Sequence, residues 1–108
     1  METHGQLNES QKIIVKVDAE LAVLVPSFLQ NRGTDIPVLD RALKNGDYET
    51  IAKIGHIMKG AGAGYGFDAV TEIGTLLEKA AKIKDAGEVQ KQINELVFYL
   101  QHLEVVYE

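Results

Sequence analysis

The fold is decided by the stretch His-Ile-Met-Lys-Gly-Ala-Gly-Ala-Gly-Tyr-Gly-Phe, which occupies residues 56 to 67. When this stretch and the residues before it are wound at roughly 100° per residue, their apolar side chains form one stripe of a helix. The stripe consists of Ile51, Ile54, Met58, Ala61 and Tyr65. Such a stripe predicts a helix that packs this face on a core.

His56 lies on the opposite face of this predicted helix, about 180° from the middle of the stripe. Its neighbours at helical spacing are small, apart from one lysine: Ala52, Lys59, Gly60 and Ala63. A solvated helix face normally carries long charged side chains. The pattern therefore predicts an accessible imidazole with a cleared surface around it.

Four glycines in or beside the stretch each disfavour the interior of a helix by roughly 1 kcal/mol relative to alanine. They are Gly55, Gly60, Gly62 and Gly64. We infer that something approaches His56 closely enough for bulk to be harmful there, and we assign steric access to Gly60. Gly64 stays open between partner access and helix packing.

Lys59 follows His56 by three residues, so its ammonium can reach an anion at the imidazole. A nucleophilic imidazole, a nearby cation and a cleared surface together predict that His56 receives a phosphoryl group from a protein partner. A metal site is a poor alternative, because Lys59 would repel the cation. His4 and His102 lack such a setting, and we interpret both as surface residues.

The residues around His56 resemble a known signature. Three elements are similar to the pattern of histidine-containing phosphotransfer (HPt) domains: His56-x-x-Lys59-Gly60, Gly66 ten residues after the histidine, and Leu76-Leu77-Glu78 on the next helix. The run from Lys59 to Phe67 also resembles the phosphoacceptor domain at the start of chemotaxis-type histidine kinases. The resemblance implies a helical bundle in which His56 is the phosphoacceptor and Lys59 supports the phosphoryl charge.

Glu78 is a candidate to orient the imidazole. His56 lies ten residues before Gly66 and Glu78 twelve after it, so at about 1.5 Å per residue the two reach similar heights on antiparallel helices. Glu78 could then accept a hydrogen bond from His56 Nδ1 and leave Nε2 as the nucleophile. The chemotaxis resemblance implies a glutamate at a matching position. The alternative is that Glu78 is only a solvated helix charge.

Composition limits the class of protein. With 108 residues and 45% hydrophobic content, the chain suits one domain with a single core. The absence of cysteine from the sequence excludes disulfides and thiolate metal sites. A net charge of -5 argues against a nucleic-acid partner. Because the N-terminus lacks signal-peptide features and no apolar run approaches roughly 20 residues, we expect a soluble cytoplasmic protein without a membrane partner.

The first half of the chain predicts two helices before the one that carries His56. Asp18 is a suitable N-cap for a first helix, which Pro26 should kink or shorten and which Gly33 should end. A second helix should start near Thr34 or Asp35 and close at Asn45-Gly46. The stretch from Ile13 to Val17 is β-branched and stays open between a short extended segment and a ragged helical turn.

The second half predicts three helices with short joints. Asp47 should cap the helix of His56, which should run to Tyr65 and end at Gly66. Asp68 should cap the next helix. The last helix should begin after Asp85 and carry its apolar stripe as far as Leu103.

The predicted fold is all-α, an antiparallel up-down four-helix bundle with an additional N-terminal helical segment. Residues 1–17 are expected to be an N-terminal tail or extended segment, and residues 18–108 the HPt-like bundle. We expect parts of the second helix and Ile57 to form an apolar rim for docking a partner.

The expected function is that of a phosphocarrier and not of an enzyme. The resemblance implies that His56 exchanges a phosphoryl group with the aspartate of a response-regulator receiver domain in a phosphorelay, with a sensor or hybrid histidine kinase upstream. We expect no cofactor in this chain, and Mg²⁺ only in the receiver. Two alternatives stay open: direct phosphorylation by a histidine kinase acting in trans, and a non-catalytic helical adaptor.

Overall fold

Residues 12–108 are described by the structure, a computed structural model. They form four helices: α1 (Val25–Lys44), α2 (Tyr48–Tyr65), α3 (Asp68–Lys82) and α4 (Ala86–His102). Each helix packs on the next along the chain, and α1 also packs against α4. The joints between the helices are short, which makes neighbours antiparallel. The predicted four-helix bundle is confirmed.

The predicted additional N-terminal helix is wrong, and the fold is not wholly α. Residues Ile13–Val17 form strand β1, which pairs in parallel with strand β2 (Leu103–Tyr107) at the other end of the chain. Asp18 does cap the backbone, since its carboxylate accepts from the N–H of Glu20 at 2.9 Å. However, only a single 3₁₀ turn follows, over Ala19–Leu21. The β-branched run favours an extended backbone once β2 offers a partner.

The predicted break at Gly33 is also wrong. Helix α1 continues through Gly33 and Pro37, so the first two predicted helices are largely two parts of one. Pro26 lies in the first turn, where a missing N–H leaves no helical hydrogen bond unmade. Phe28 and Leu39 are buried in the common core on either side of Gly33. Tertiary packing of this face therefore outweighs the local preference for a break.

The boundaries of α2 agree with the sequence. The Asp47 carboxylate accepts from the N–H of Thr50 at 3.2 Å and caps the start of the helix. Gly66 ends it in the left-handed conformation with a φ of 83°, which favours glycine. These two residues fix the helix that carries His56, and both predictions are confirmed.

Two other boundaries differ from the predictions by one residue. Phe67 is the N-cap of α3, and Asp68 is the first residue inside that helix. Asp85 caps α4 as predicted, by accepting from the N–H of Glu88 at 3.1 Å. That helix ends at His102, because Leu103 is extended and begins β2.

Helices α2 and α3 pack so closely that their backbones are in contact. A Cβ atom built on Gly55 would lie 2.7 Å from the carbonyl oxygen of Gly74, and one built on Gly74 would lie 2.6 Å from the carbonyl oxygen of Gly55. A Cβ on Gly62 would meet the backbone N of Thr71 at 2.7 Å. The Thr71 hydroxyl also donates to the Lys59 carbonyl across the same interface, at 3.3 Å. The glycines here are needed for close helix packing.

The glycines of α2 therefore divide into two groups. Gly55 and Gly62 are buried against α3, so their cost to helix propensity is explained by packing and not by clearance around His56. Gly60 and Gly64 are exposed, and a Cβ on either would have no described atom within 4 Å beyond its own helix. Packing explains the first pair and leaves the second pair available for access.

We predict opposite stability effects for the two groups. Gly55→Ala should lower the free energy of unfolding by about 2 kcal/mol, because backbone atoms of α3 block its Cβ and the helices must separate. Gly64→Ala, the control on the same helix, should raise it by up to about 1 kcal/mol through helix propensity. Urea unfolding of both variants measures the difference. Equal effects would contradict the close packing of α2 on α3.

Candidate functional site

His56 projects from the middle of α2 and keeps 69% of its side chain exposed. Its Nδ1 atom lies 3.3 Å from Oε2 of Glu78, which belongs to α3. Gly55 is the residue before His56, and its Cβ position would also be 2.8 Å from the backbone N of Glu78. The close backbone packing of α2 on α3 therefore sets the distance between the backbone positions that carry the imidazole and the carboxylate.

Glu78 is the centre of a small charged cluster. Its side chain is 17% exposed, and two ammonium groups contact it in addition to the imidazole. Lys59 Nζ lies 3.7 Å from Oε1, and Lys82 Nζ lies 3.5 Å from Oε2. The structure thus brings together His56, Lys59 and Glu78, which the sequence nominated on separate grounds.

Lys82 belongs to this cluster although the sequence-based prediction does not include it. The signal for it was present, because Lys82 follows Glu78 by four residues, the spacing at which a glutamate and a lysine meet on a helix. The HPt resemblance drew attention to residues on α2 and to Glu78 itself. A search for i, i+4 partners of Glu78 would have found Lys82.

The cluster lowers the pKa of Glu78. Desolvation by burial is the largest single influence on the pKa of Glu78 and raises it, but the charges of Lys82 and Lys59 act against it. A hydrogen bond from Lys82 and the charge of His56 act in the same direction as the lysines. The net result is a pKa below the ordinary value. Near neutral pH the imidazole therefore faces a carboxylate.

The surface around His56 is open and partly apolar. A shallow groove of about 410 Å³ runs beside the imidazole; it is lined by Glu49, Ala52, Lys53, His56, Ile57 and Glu78. Ile57 is 58% exposed. Gly60, one turn further along the same helix, is also exposed. A visiting protein could therefore reach the imidazole from this side.

A second groove begins on the other side of Ile57. It has a volume of about 300 Å³ and lies between α1 and α2, where Leu24, Phe28 and Arg32 face Ile57, Ala61 and Tyr65. The Arg32 guanidinium pairs with Asp35 at 2.9 Å and also lies over the Phe28 ring. Ile57 therefore separates two grooves on one continuous face of the bundle.

Comparison with the profiles of known protein families assigns the chain to one of them. The profile of the Hpt domain matches residues 23–104, about three quarters of the sequence. The chain belongs to the Hpt domain family. A search of curated proteins found no significant match. The same was true of a search of solved structures.

Membership of the Hpt family indicates a general function. Hpt domains take part in histidine phosphotransfer within phosphorelay signalling, as phosphocarriers that are typically non-catalytic. Their partners are in general other components of two-component systems. The resemblance that the motif around His56 indicated is thereby confirmed.

The remaining histidines of this Hpt domain lie elsewhere. His102 is at the C-terminal end of α4, where its Nδ1 contacts the carbonyl oxygen of Phe98 at 2.8 Å and its ring stacks on that phenyl ring. His4 lies outside the described residues. Residues 12–108 contain no group of three or more side chains with the spacing of a metal site. No helix in that range is long and apolar enough to cross a membrane.

We predict that Lys59 contributes to the low pKa of Glu78. In Lys59→Met the Glu78 pKa should rise, because one of the two cations that stabilise the carboxylate is lost. Lys53→Met is the matched control, since Lys53 lies on the same helix but acts on the carboxylate of Asp47. NMR titration of the side-chain carboxyl carbons measures both groups. An unchanged Glu78 titration in Lys59→Met would contradict this electrostatic coupling.

The same shift predicts a dependence of stability on pH. Since folding lowers the Glu78 pKa below its ordinary value of 4.5, the carboxylate stabilises the fold above about pH 4.5. That contribution is lost as the pH falls through the folded-state pKa. The stability difference between the Hpt domain and its Lys59→Met variant should therefore be largest above pH 4.5 and shrink on acidification.

Proposed function

We propose that His56 is the phosphoacceptor of this Hpt domain and exchanges a phosphoryl group with the aspartate of a response-regulator receiver domain. One observation carries the proposal: an exposed imidazole whose Nδ1, and not Nε2, faces a carboxylate. With its proton on Nδ1 and directed at Glu78, the ring keeps the lone pair of Nε2 for attack. Glu78 is thus proposed as the orienting residue.

The transfer forms one bond and breaks one bond. The Nε2 lone pair of His56 attacks the phosphorus of the receiver's phosphoaspartate, and an N–P bond forms. The P–O bond to the aspartate breaks, and its electron pair leaves with the carboxylate. The Nδ1 proton stays between the ring and Glu78, so the carboxylate balances the positive charge that the ring gains. Run backwards, the same step donates the phosphoryl group to the receiver.

Lys59 and Gly60 serve the phosphoryl group in this proposal. Lys59 lies one helical turn from His56, and its side chain is half exposed, so the ammonium can turn toward phosphoryl oxygens. Gly60 adds no side chain beside it, and this leaves room for the receiver. Phosphoryl transfer depends mainly on alignment and on neutralising charge, which these groups provide.

The receiver supplies what this chain is not expected to carry. Its aspartate is the other phosphoryl site, and its Mg²⁺ stabilises charge on the transferring group. We propose that the Hpt domain needs no cofactor of its own and acts as a carrier between partners. A sensor or hybrid histidine kinase would stand upstream in the same relay.

The face around Ile57 is the proposed docking surface. Ile57 is exposed beside His56 and lies between two grooves, so a receiver seated over the imidazole would cover it. Burial of one such side chain contributes a few kcal/mol at most, which suits a transient contact. The proposed surface combines this apolar patch with the exposed ammonium groups of Lys53 and Lys59.

We predict that His56→Gln abolishes transfer. The variant should take no label from a phosphorylated receiver, because glutamine offers no nucleophilic nitrogen. His102→Gln, which alters a histidine of α4, should take label at the normal rate. Acid-labile, base-stable label on the Hpt domain measures the transfer. Undiminished labelling of His56→Gln would exclude His56 as the acceptor.

We predict that Ile57→Glu weakens docking. A charge in place of the exposed isoleucine should lower kcat/KM for transfer about tenfold, mainly through KM, because an apolar contact is lost. Ile83→Glu is the control, since Ile83 is 74% exposed in the joint between α3 and α4. Rates across a range of receiver concentrations separate the two parameters. Equal effects at both positions would contradict the proposed docking surface.

A second candidate function is direct phosphorylation by a histidine kinase that acts in trans. The contact between Nδ1 and Glu78 favours it, because the chemotaxis-type resemblance implies a glutamate in this place. Both routes use the same nucleophile, Nε2 of His56. Incubation with candidate kinases and ATP, beside incubation with phosphorylated receivers, decides between them by which donor labels the domain faster.

A further inference from the structure

The two lysines that contact Glu78 differ in position. Lys59 approaches Oε1 from α2, one turn beyond His56. Lys82 approaches Oε2 from α3, one turn beyond Glu78 itself. The imidazole Nδ1 of His56 also faces Oε2, so this oxygen has two partners and Oε1 has one.

The proposed function places a conflicting demand on Lys59. Its ammonium contacts Glu78 in the structure, yet Lys59 also lies one turn from His56 on α2 and is the cation proposed to meet the phosphoryl oxygens. One ammonium turned toward the phosphoryl group would leave Oε1 without its cation. The carboxylate would then need another cation to stay in place.

Lys82 meets that need. It sits on the same helix as Glu78 at the i+4 position, in the favourable order with the glutamate toward the N-terminus. Its contact with Oε2 is made within α3 and uses a different oxygen from the one that Lys59 contacts. Of the two lysines, Lys82 also has the larger influence on the ionisation of Glu78.

We propose that Lys82 is a positioning residue that holds the Glu78 carboxylate against His56 Nδ1 and so frees Lys59 to serve the phosphoryl group. The part that concerns Lys59 rests on the proposed function. The part that concerns Lys82, Glu78 and the imidazole proton does not, because the contacts exist before phosphorylation. The two lysines thereby have different roles. Lys82 holds the Glu78 carboxylate in place, and the Lys59 ammonium turns toward the phosphoryl group.

The expected effect of Lys82 is modest. Its side chain is 67% exposed, and ion pairs of exposed lysines are weak and screened by salt. We expect its loss to change the position of the imidazole proton and the transfer rate by roughly two- to fivefold. An effect of this size should also fade at high ionic strength.

The first experiment measures the imidazole proton in the unphosphorylated domain. ¹⁵N NMR of His56 above its titration range reports the ratio of the Nδ1–H to the Nε2–H tautomer. Lys82→Met should lower this ratio roughly two- to fivefold, and Lys82→Arg should restore it. Lys79→Met is the control, because Lys79 is an exposed lysine of α3 with no described contact to Glu78.

Two outcomes of this measurement would overturn the positioning role. One is an unchanged tautomer ratio in Lys82→Met. The other is an equal fall in Lys79→Met, which would indicate a general loss of positive charge and not a specific contact. A variant that failed to fold would be recognised in the same spectra, and Lys82→Gln would then take its place.

The second experiment measures transfer from a phosphorylated receiver. Lys82→Met should lower kcat roughly two- to fivefold and leave KM unchanged, because Lys82 is not part of the proposed docking surface. A wild-type rate in Lys82→Met, beside normal transfer by the parent domain, would overturn the division of tasks. Absence of transfer in the parent domain would instead count against the proposed function, while the tautomer ratio would still decide the role of Lys82.

Discussion

The close approach of α2 and α3 is the constraint on which the rest of the molecule depends. At Gly55 and Gly74 the two backbones lie so close together that neither position has room for a Cβ atom. Because the contact lies beside both His56 and Glu78, it fixes the separation of the two backbones from which these side chains extend. The same contact gives α2 and α3 the most extensive packing of any helix pair in the described chain. The stability of the bundle and the geometry of the site thus have one origin.

This arrangement explains why the site can be exposed and still ordered. The imidazole is mostly in solvent, where a partner can reach it, while the carboxylate that faces it is largely covered. Burial raises the pKa of Glu78, and the charges of Lys82, Lys59 and His56 together with a hydrogen bond from Lys82 bring it below its ordinary value. The site therefore holds a negative charge next to Nδ1 by electrostatic balance. A site of this kind needs only a firmly packed helix pair and a few side chains. This simplicity suits a phosphocarrier.

The strand pair has a separate task, because it ties together the two ends of the described chain. Strands β1 and β2 pair over five residues each, and Glu108 continues the pairing through hydrogen bonds with Val17 and Ala19. A two-stranded sheet is marginal by itself and needs a surface to pack on. The bundle provides that surface, since Val17 is buried and its alternate neighbours Ile13 and Val15 pack on the core. The strands therefore lie at the end of the bundle where the described chain enters α1 and leaves α4.

The local sequence determined where α2 begins and ends, and it indicated which residues form the candidate site. The caps Asp47 and Gly66 act through backbone geometry that a few neighbouring residues set, and the family signature around His56 is a short contiguous pattern. Phosphoacceptor, charge support and orienting residue could thus be nominated before any coordinates. By contrast, Gly33 predicted a break that α1 does not make, because burial of the helix face in the core outweighs a local preference of about 1 kcal/mol.

Only the tertiary structure decided the features that join residues far apart in the sequence. The parallel pairing of β1 with β2 links opposite ends of the chain, and no local pattern in either segment names the other. Whether a glycine clears a surface or packs against a helix depends on what lies opposite it, which separates Gly55 and Gly62 from Gly60 and Gly64. Lys82 joined the site for the same reason. The sequence sets the chemistry of each residue, and the packing of helices decides which of them meet.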